Sequence, residues 1–174
     1  MNRALWAAGL ALLSACGAGT ADDEALHGAA GAALVAPGTG EIRILGVNGG
    51  AFTSVSMNVS SIEVRANGQL VTDALVTPQI ELANATQAWL LARFAVPAGA
   101  TQLEVTFSLE DGGAFAGTLG AGEIHAPCSR IRFIVQVAQL DVRGHAVCHF
   151  DLEKSLISRG GDIAELVPNW SLHY

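Results

Sequence analysis

Residues 54–72 read SVSMNVSSIEVRANGQLVT, and this stretch decides the class of fold. Its apolar positions are odd-numbered up to Val59 and even-numbered from Ile62 onward. Such alternation is typical of a half-buried strand, and the change of parity predicts a β-bulge at Ser60-Ser61. Asn67-Gly68 is a strong signal for a type I′ turn, so the strand is expected to return as a hairpin.

Similar apolar segments, bounded by turn residues, follow one another along the rest of the chain. They are residues 42–44, 79–82, 103–109, 114–118, 131–137, 146–152 and 166–172. Trp89-Leu90-Leu91 is interpreted as an apolar plug in a short helical or irregular connection. About eight short strands without several crossover helices predict an all-β domain, an antiparallel β-sandwich over residues 41–174, and exclude a doubly wound α/β fold.

Composition limits the classes of protein that fit. The chain has 174 residues, of which 51% are hydrophobic and 14% charged, so wholesale disorder is excluded. Nine Lys and Arg against sixteen Asp and Glu give a net charge of −7, and the basic residues are scattered singly. Nucleic acid is therefore not expected as a partner.

The N-terminal residues predict export. Residues 1–15 contain Arg3 and then an apolar run from Ala4 to Leu13, which is the layout of a secretory signal peptide and too short to span a bilayer of ~30 Å. Leu13-Ser14-Ala15-Cys16 resembles the lipobox of bacterial lipoproteins. The resemblance implies a diacylglyceryl group on Cys16, cleavage before it, and anchoring in the outer membrane of the cell envelope. The alternative is an ordinary signal peptide that ends near a cysteine.

Residues 16–40 are expected to form a flexible tether between the lipidated cysteine and the domain. They are mostly Ala, Gly and Thr, so they offer too little apolar surface to offset the entropy of ordering. A short helix through residues 25–35 is the alternative, weakened by Gly28 and Gly31.

The two other cysteines, Cys128 and Cys148, are predicted to form a disulfide. An exported domain meets an oxidising compartment, and closing a loop of about 20 residues would stabilise the fold by ~3 kcal/mol. Two buried free thiols are the alternative, since Cys148 lies on the apolar side of its predicted strand.

Five stretches carry a resemblance to a known family: residues 55–64, 90–92, 96–99, 150–156 and 166–168. On these, the chain resembles bacterial lipoproteins built around an uncharacterised immunoglobulin- or prealbumin-like β-sandwich domain of unknown function. The resemblance implies that kind of sandwich and transfers no catalytic residue.

His145 and His149 could ligate a metal, since they share one face of a predicted strand. Cys148 faces the other way, so at most two ligands converge, and two solvated histidines are the favoured interpretation. Haem attachment is excluded because a c-type site needs a cysteine at the position of His145. No metal and no cofactor are expected.

The motif residues Phe150, Asp151, Lys154 and Ser155 are interpreted as structural. Asp151 and Glu153 could serve as paired carboxylates or as a cation site, but no ligand loop accompanies them. A hydrogen bond from Asp151 to a turn, through Ser155 or backbone N–H groups, is favoured.

Trp89 and Trp170 are the candidate ligand-binding residues. Exposed together they would stack on sugar rings, whereas the alternative places them in the core. The favoured function is a non-enzymatic, membrane-anchored envelope lipoprotein whose sandwich binds or scaffolds a polysaccharide or an envelope protein. The alternatives are an envelope metalloprotein or hydrolase using residues 145–155, and a structural spacer without a ligand.

Overall fold

The structure, a computed structural model, describes residues 38–118, 120–127, 129–160 and 162–174. The expected signal peptide, Cys16, nearly all of the expected tether and Cys128 lie outside the described residues. Thirteen strands and two short helices are present in the described part. In chain order they are β1 Thr39–Val47, β2 Phe52–Ala66, β3 Gln69–Thr72, β4 Gln79–Glu81, β5 Trp89–Ala95, β6 Gln102–Leu109, β7 Gly113–Gly117, β8 Gly120–His125, β9 Arg130–Gln136, α1 Val137–Arg143, β10 His145–Asp151, α2 Leu152–Ser155, β11 Leu156–Gly160, β12 Ile163–Leu166 and β13 Trp170–His173.

The smaller sheet has four strands in the order β13-β10-β1-β5. Its centre is a parallel pair, β1 with β10, in register from Glu41 opposite His145 to Val47 opposite Asp151. Both outer strands, β5 and β13, run antiparallel to their neighbours. The first strand of the domain is therefore paired with one that begins about 100 residues later in the chain.

The larger sheet has nine strands, and β2 is its hub. Its main path is β11-β12-β8-β7-β2-β6-β9, with β3 and β4 paired to β2 beside it. The β12–β8 pair is parallel, and the other pairs of this sheet are antiparallel. Because β2 is 15 residues long, it pairs with β7 and β4 at its beginning and with β6 and β3 toward its end.

Both local predictions for residues 54–72 are confirmed. The register of β2 on β6 shifts between Val59 and Ser61, which places Val59 and Ile62 in the core although their parity differs. Asn67 and Gly68 have φ values of 51° and 77°, as a type I′ turn requires, and they join β2 to β3.

Two features of the predicted fold are wrong. The sheets are mixed rather than purely antiparallel, because two strand pairs are formed by strands far apart in sequence that run in the same direction. Residues 89–91 belong to β5 rather than to a helical or irregular connection. Their alternation is hidden by a register shift at Ile42/Arg43, opposite which Leu91 and Ala92 are both buried.

One hydrophobic cluster is shared by the two sheets, as a β-sandwich requires. The ring of Phe133 in β9 lies 5.4 Å from that of Trp170 in β13, joining the larger sheet to the smaller. At Gly46 the backbone of β1 approaches the other layer so closely that an added Cβ would lie 1.9 Å from the carbonyl oxygen of Leu82.

The helices are short and peripheral. Helix α1 connects β9 of the larger sheet to β10 of the smaller one, and Gly144 ends it in a left-handed conformation. Helix α2 is a single turn between β10 and β11. Among the residues described here, no helix has the length and apolar character needed to cross a membrane.

Candidate functional site

The four-stranded sheet has a core-facing side and an outer side, and titratable groups concentrate on the outer side. Ile42 and Ile44 of β1 and Cys148 of β10 point into the core, so the residues that alternate with them point outward. We call this side the outer face. By this alternation its titratable members are Glu41, Arg43, Arg93, His145, His149 and His173, together with Asp151 at the end of β10.

Glu41 is the centre of the outer face because two arginines bind its carboxylate. Arg43, two residues along β1, donates from Nε and Nη2 to Oε2 over 2.9 and 2.5 Å. Arg93, on β5, donates from Nε to Oε1 over 2.8 Å, and its Nη2 lies 2.6 Å from the same oxygen. Each carboxylate oxygen therefore receives both donors from one edge of a guanidinium group.

The carboxylate of Glu41 is enclosed, whereas the arginines are not. The Glu41 side chain is 0% exposed, that of Arg43 is 19% exposed and that of Arg93 is 56% exposed. Burial alone would raise the pKa of Glu41, but the hydrogen bonds and charges of the two arginines outweigh it and hold the pKa below the usual value. Glu41 is therefore ionised at neutral pH.

His145 lies beside this cluster, since it is the register partner of Glu41 across the β1–β10 pair. The backbone N–H of Glu41 also donates to the carbonyl oxygen of Gly144 over 3.1 Å, which fixes the start of β10 against β1. The pKa of His145 is lowered, first by burial and then by the positive charge of Arg43. At neutral pH His145 is uncharged.

A second group on the outer face is a stacked histidine pair. The rings of His149 in β10 and His173 in β13 lie 3.9 Å apart with an angle of 20° between their planes. Ser171 Oγ lies 2.8 Å from His173 Nε2, so this ring is also held by its own strand. Burial, and then the neighbouring His173, lower the pKa of His149 to about 4.

His145 and His149 are thus half-buried side chains with partners, rather than the solvated histidines that the sequence favoured. They lie four residues apart on β10: His145 is opposite Glu41 in the strand register, and His149 stacks on His173. Among the residues that the structure describes, no cluster of three or more His, Cys, Asp or Glu has the geometry to hold a metal ion.

Asp151 is hydrogen-bonded to the turn that follows β10. Its Oδ1 accepts the backbone N–H of Lys154 over 3.0 Å, which caps the single turn of α2. Its Oδ2 accepts from Asn48 Nδ2 over 2.9 Å and lies 3.0 Å from Lys154 Nζ. Burial opposes ionisation, but these contacts together lower the pKa of Asp151.

The other motif residues complete the same corner. Ser155 is fully buried; its Oγ donates to the carbonyl oxygen of Asn169 and accepts from the backbone N–H of Asn169. Phe150 is 0% exposed and belongs to the core. The motif therefore ties the end of β10 to the segment that leads into β13.

Trp89 and Trp170 do not form an exposed pair. They lie on β5 and β13, the opposite edges of the four-stranded sheet and three strand spacings apart, or roughly 14 Å. Trp170 is buried against Phe133, and Trp89 is half-buried with its indole N–H donating to the carbonyl oxygen of Glu81 over 2.7 Å. The expectation of a joint surface for stacking on sugar rings is therefore wrong, and each tryptophan packs at its own place in the domain.

The disulfide expected between Cys128 and Cys148 is not supported. Cys148 is a free thiol with 0% exposure in the middle of β10, and its side chain lies among core residues. Burial raises the pKa of this thiol well above its usual range. Cys128 itself lies outside the described residues.

The arginine–glutamate cluster was not predicted from the sequence. Glu41 and Arg43 carry a local signal, two opposite charges at the spacing that places them on one strand face. Arg93 is separated from Glu41 by 52 residues, and its partner follows only from the β1–β5 register. Glu81 was missed for the same reason, since its carboxylate binds Ser54 Oγ and the backbone N–H groups of Val55 and Ala83.

Comparison with protein families, with curated proteins and with solved structures finds no match to this chain. The outer face, the fold and the lipobox-like residues 13–16 are therefore the basis on which a function is proposed.

Proposed function

We propose that this chain is an envelope lipoprotein, anchored in the outer membrane through Cys16, whose β-domain binds an envelope component without catalysing a reaction. The observation that carries the proposal is the outer face, where two arginines converge on one enclosed carboxylate. An immunoglobulin- or prealbumin-like relationship of the sandwich is part of the same proposal and rests on the sequence resemblance alone.

The organisation of the two faces supports a binding role. One side of the four-stranded sheet is used by the core, which leaves the outer face to meet other molecules. Its polar groups are held by one another: Glu41 by Arg43 and Arg93, and His149 by His173. Groups fixed before a ligand arrives lose little side-chain entropy on binding, which is the property of a preorganised site.

The anchor is tested by phase partitioning in detergent. The full chain and its Cys16→Ser variant are expressed in a bacterial host and separated into detergent and aqueous phases. We expect the full chain in the detergent phase and the variant in the aqueous phase, because the acyl chains supply the membrane affinity. Cys128→Ser is the matched control and should partition like the full chain. If the Cys16→Ser variant enters the detergent phase to the same extent as the full chain, the proposed lipid anchor is wrong.

Binding is tested with the detergent-solubilised full chain on arrays of envelope polysaccharides and by retention on isolated envelope fractions. We expect saturable retention that variants of the outer face reduce and variants of the larger sheet do not. A repeatable lack of retention on every fraction would overturn the binding role and favour the structural spacer.

A further inference from the structure

We propose that Arg43 and Arg93 form the anion site of the outer face and that its ligand is the carboxylate groups of an acidic, uronate-bearing polysaccharide. This rests on the proposed function and gives the chemical class of the envelope component. The bridging carboxylate of Glu41 holds both guanidinium groups side by side.

The arginines retain unused donors. Each binds Glu41 through Nε and Nη2, and neither Nη1 takes part in these contacts. A guanidinium group presents five N–H donors in a rigid plane, so an edge remains that can hold an anion. Because Glu41 fixes the orientation of both planes, the free edges are ordered before a ligand binds.

The charge balance at this place also favours an anion. Two guanidinium groups face one carboxylate, which leaves one positive charge, while the whole chain carries −7. In comparison, three arginines of the larger sheet pair with one glutamate each: Arg65 with Glu63, Arg132 with Glu104 and Arg159 with Glu165. Glu41 is shared by two arginines, so one positive charge is left over at this place on the outer face.

Access to the site fits the same assignment. The Arg93 side chain is 56% exposed and that of Arg43 is 19% exposed. An anion from solvent can therefore contact the Arg93 guanidinium group directly, and that of Arg43 only along its exposed edge. The adjoining His145 has a lowered pKa and is neutral at pH 7, so it adds a hydrogen-bonding group rather than a further charge. One shared site suits single carboxylates spaced along a polymer better than a dense run of phosphates.

A polymer is favoured over a small acid because a single exposed ion pair contributes little binding free energy. Many anchored copies on one membrane would engage successive carboxylates of one chain, and the linked contacts then raise the overall affinity without any new contact. The membrane anchor and the weak site thus complement each other.

The test measures polymer binding by the full chain reconstituted into uncharged phosphatidylcholine vesicles. The probes are polygalacturonate, polyphosphate and neutral dextran. Arg93→Gln removes the exposed guanidinium group while Arg43 continues to hold Glu41. Arg93→Lys keeps the positive charge but lacks the paired N–H donors of a guanidinium group. Arg132→Gln is the matched control, because Arg132 is exposed to a similar extent and is paired with Glu104 on the larger sheet. Thermal melting checks that every variant is folded.

We expect polygalacturonate to bind and to be displaced by salt, with a loss of about tenfold for Arg93→Gln, a smaller loss for Arg93→Lys and a change within about twofold for Arg132→Gln. Equal losses for Arg93→Gln and Arg132→Gln would overturn the site. Stronger, Arg93-dependent binding of polyphosphate would overturn the carboxylate assignment. Binding of dextran alone, or retention on envelope fractions that Arg93→Gln leaves unchanged, would overturn this inference while the proposed function stands.

Discussion

The imidazole rings of His149 and His173 are stacked 3.9 Å apart across the β10–β13 pair, although neither residue faces the other directly in the strand register. His149 is opposite Ser171, and His173 is opposite Val147, so the rings meet along the diagonal of the pair. Burial and then the neighbouring His173 hold the pKa of His149 at about 4, so the folded domain disfavours a proton on the His149 ring. The stack therefore makes the edge strand β13 sensitive to acid.

The first prediction concerns pH. The folded-state pKa of His149 is about 4 and the ordinary value is 6.5, so the unfolded state binds the proton first as the pH falls. Stability is thus complete above about pH 6.5 and is lost as the pH falls toward 4, by about 1–2 kcal/mol at about pH 5. His145, whose pKa is also lowered, adds to the loss in the same direction. Urea unfolding at a series of pH values measures this.

His149→Gln should remove much of this dependence between about pH 7 and 5. His125→Gln is the control, because His125 is exposed and lies outside the stack. An unchanged pH profile in the His149→Gln variant would contradict the role of the stack.

The second prediction concerns the enclosed carboxylate. Arg43→Met leaves Glu41, with 0% exposure, bound by Arg93 alone, and should lower the free energy of unfolding by about 2–4 kcal/mol. The double variant Glu41→Leu/Arg43→Met should recover much of that loss, because no buried charge is left unpaired. Denaturant unfolding measures both. The exposed pair gives the control: Arg65→Met should change stability by about 0.5 kcal/mol or less, and a similar effect at Arg43 would refute the prediction.

The third prediction concerns the cap of α2. Asp151→Ala removes the acceptor for the Lys154 backbone N–H and for Asn48, and should destabilise the domain by about 1–3 kcal/mol. Asp151→Asn keeps an acceptor oxygen and should cost less. Glu153→Ala, in the same turn, serves as the comparison. Thermal melting gives the ranking, and an Asp151→Ala variant as stable as Glu153→Ala would be inconsistent with a capping role.

The fourth prediction concerns Cys148. A thiol with 0% exposure and a raised pKa should not react with an aromatic disulfide reagent while the domain is folded, and should react as soon as it unfolds. The experiment uses the Cys16→Ser/Cys128→Ser double variant, so that Cys148 is the one cysteine left in the chain. Rapid reaction in the folded state would contradict its burial. In the unmodified chain, loss of the thiol signal after unfolding without reductant would restore the disulfide.

Features encoded by neighbouring residues were predictable from the sequence. The bulge at Ser60-Ser61 and the Asn67-Gly68 turn each follow from parity and backbone preference within a few residues. The capping role of Asp151 is local in the same way, since its acceptor bond spans three residues. Such features depend little on the rest of the chain.

Long-range pairings were not predictable. Nothing within β1 or β10 indicates that Glu41 pairs with His145 in parallel, and the same holds for the bond from Arg93 to Glu41. The failed interpretation of Trp89-Leu90-Leu91 has a related cause, because the bulge that breaks its alternation is set by the register on β1. The histidine stack likewise exists only once β13 lies beside β10.

The parallel pairing of β1 with β10 determines when the domain can form. Strand β1, at the centre of the small sheet, pairs with residues 145–151. The small sheet therefore cannot form until most of the chain has been synthesised. Contacts of such high sequence separation carry a large loop-closure entropy and slow folding. Assembly of the four-stranded sheet is therefore expected to be a late step in the folding of this domain.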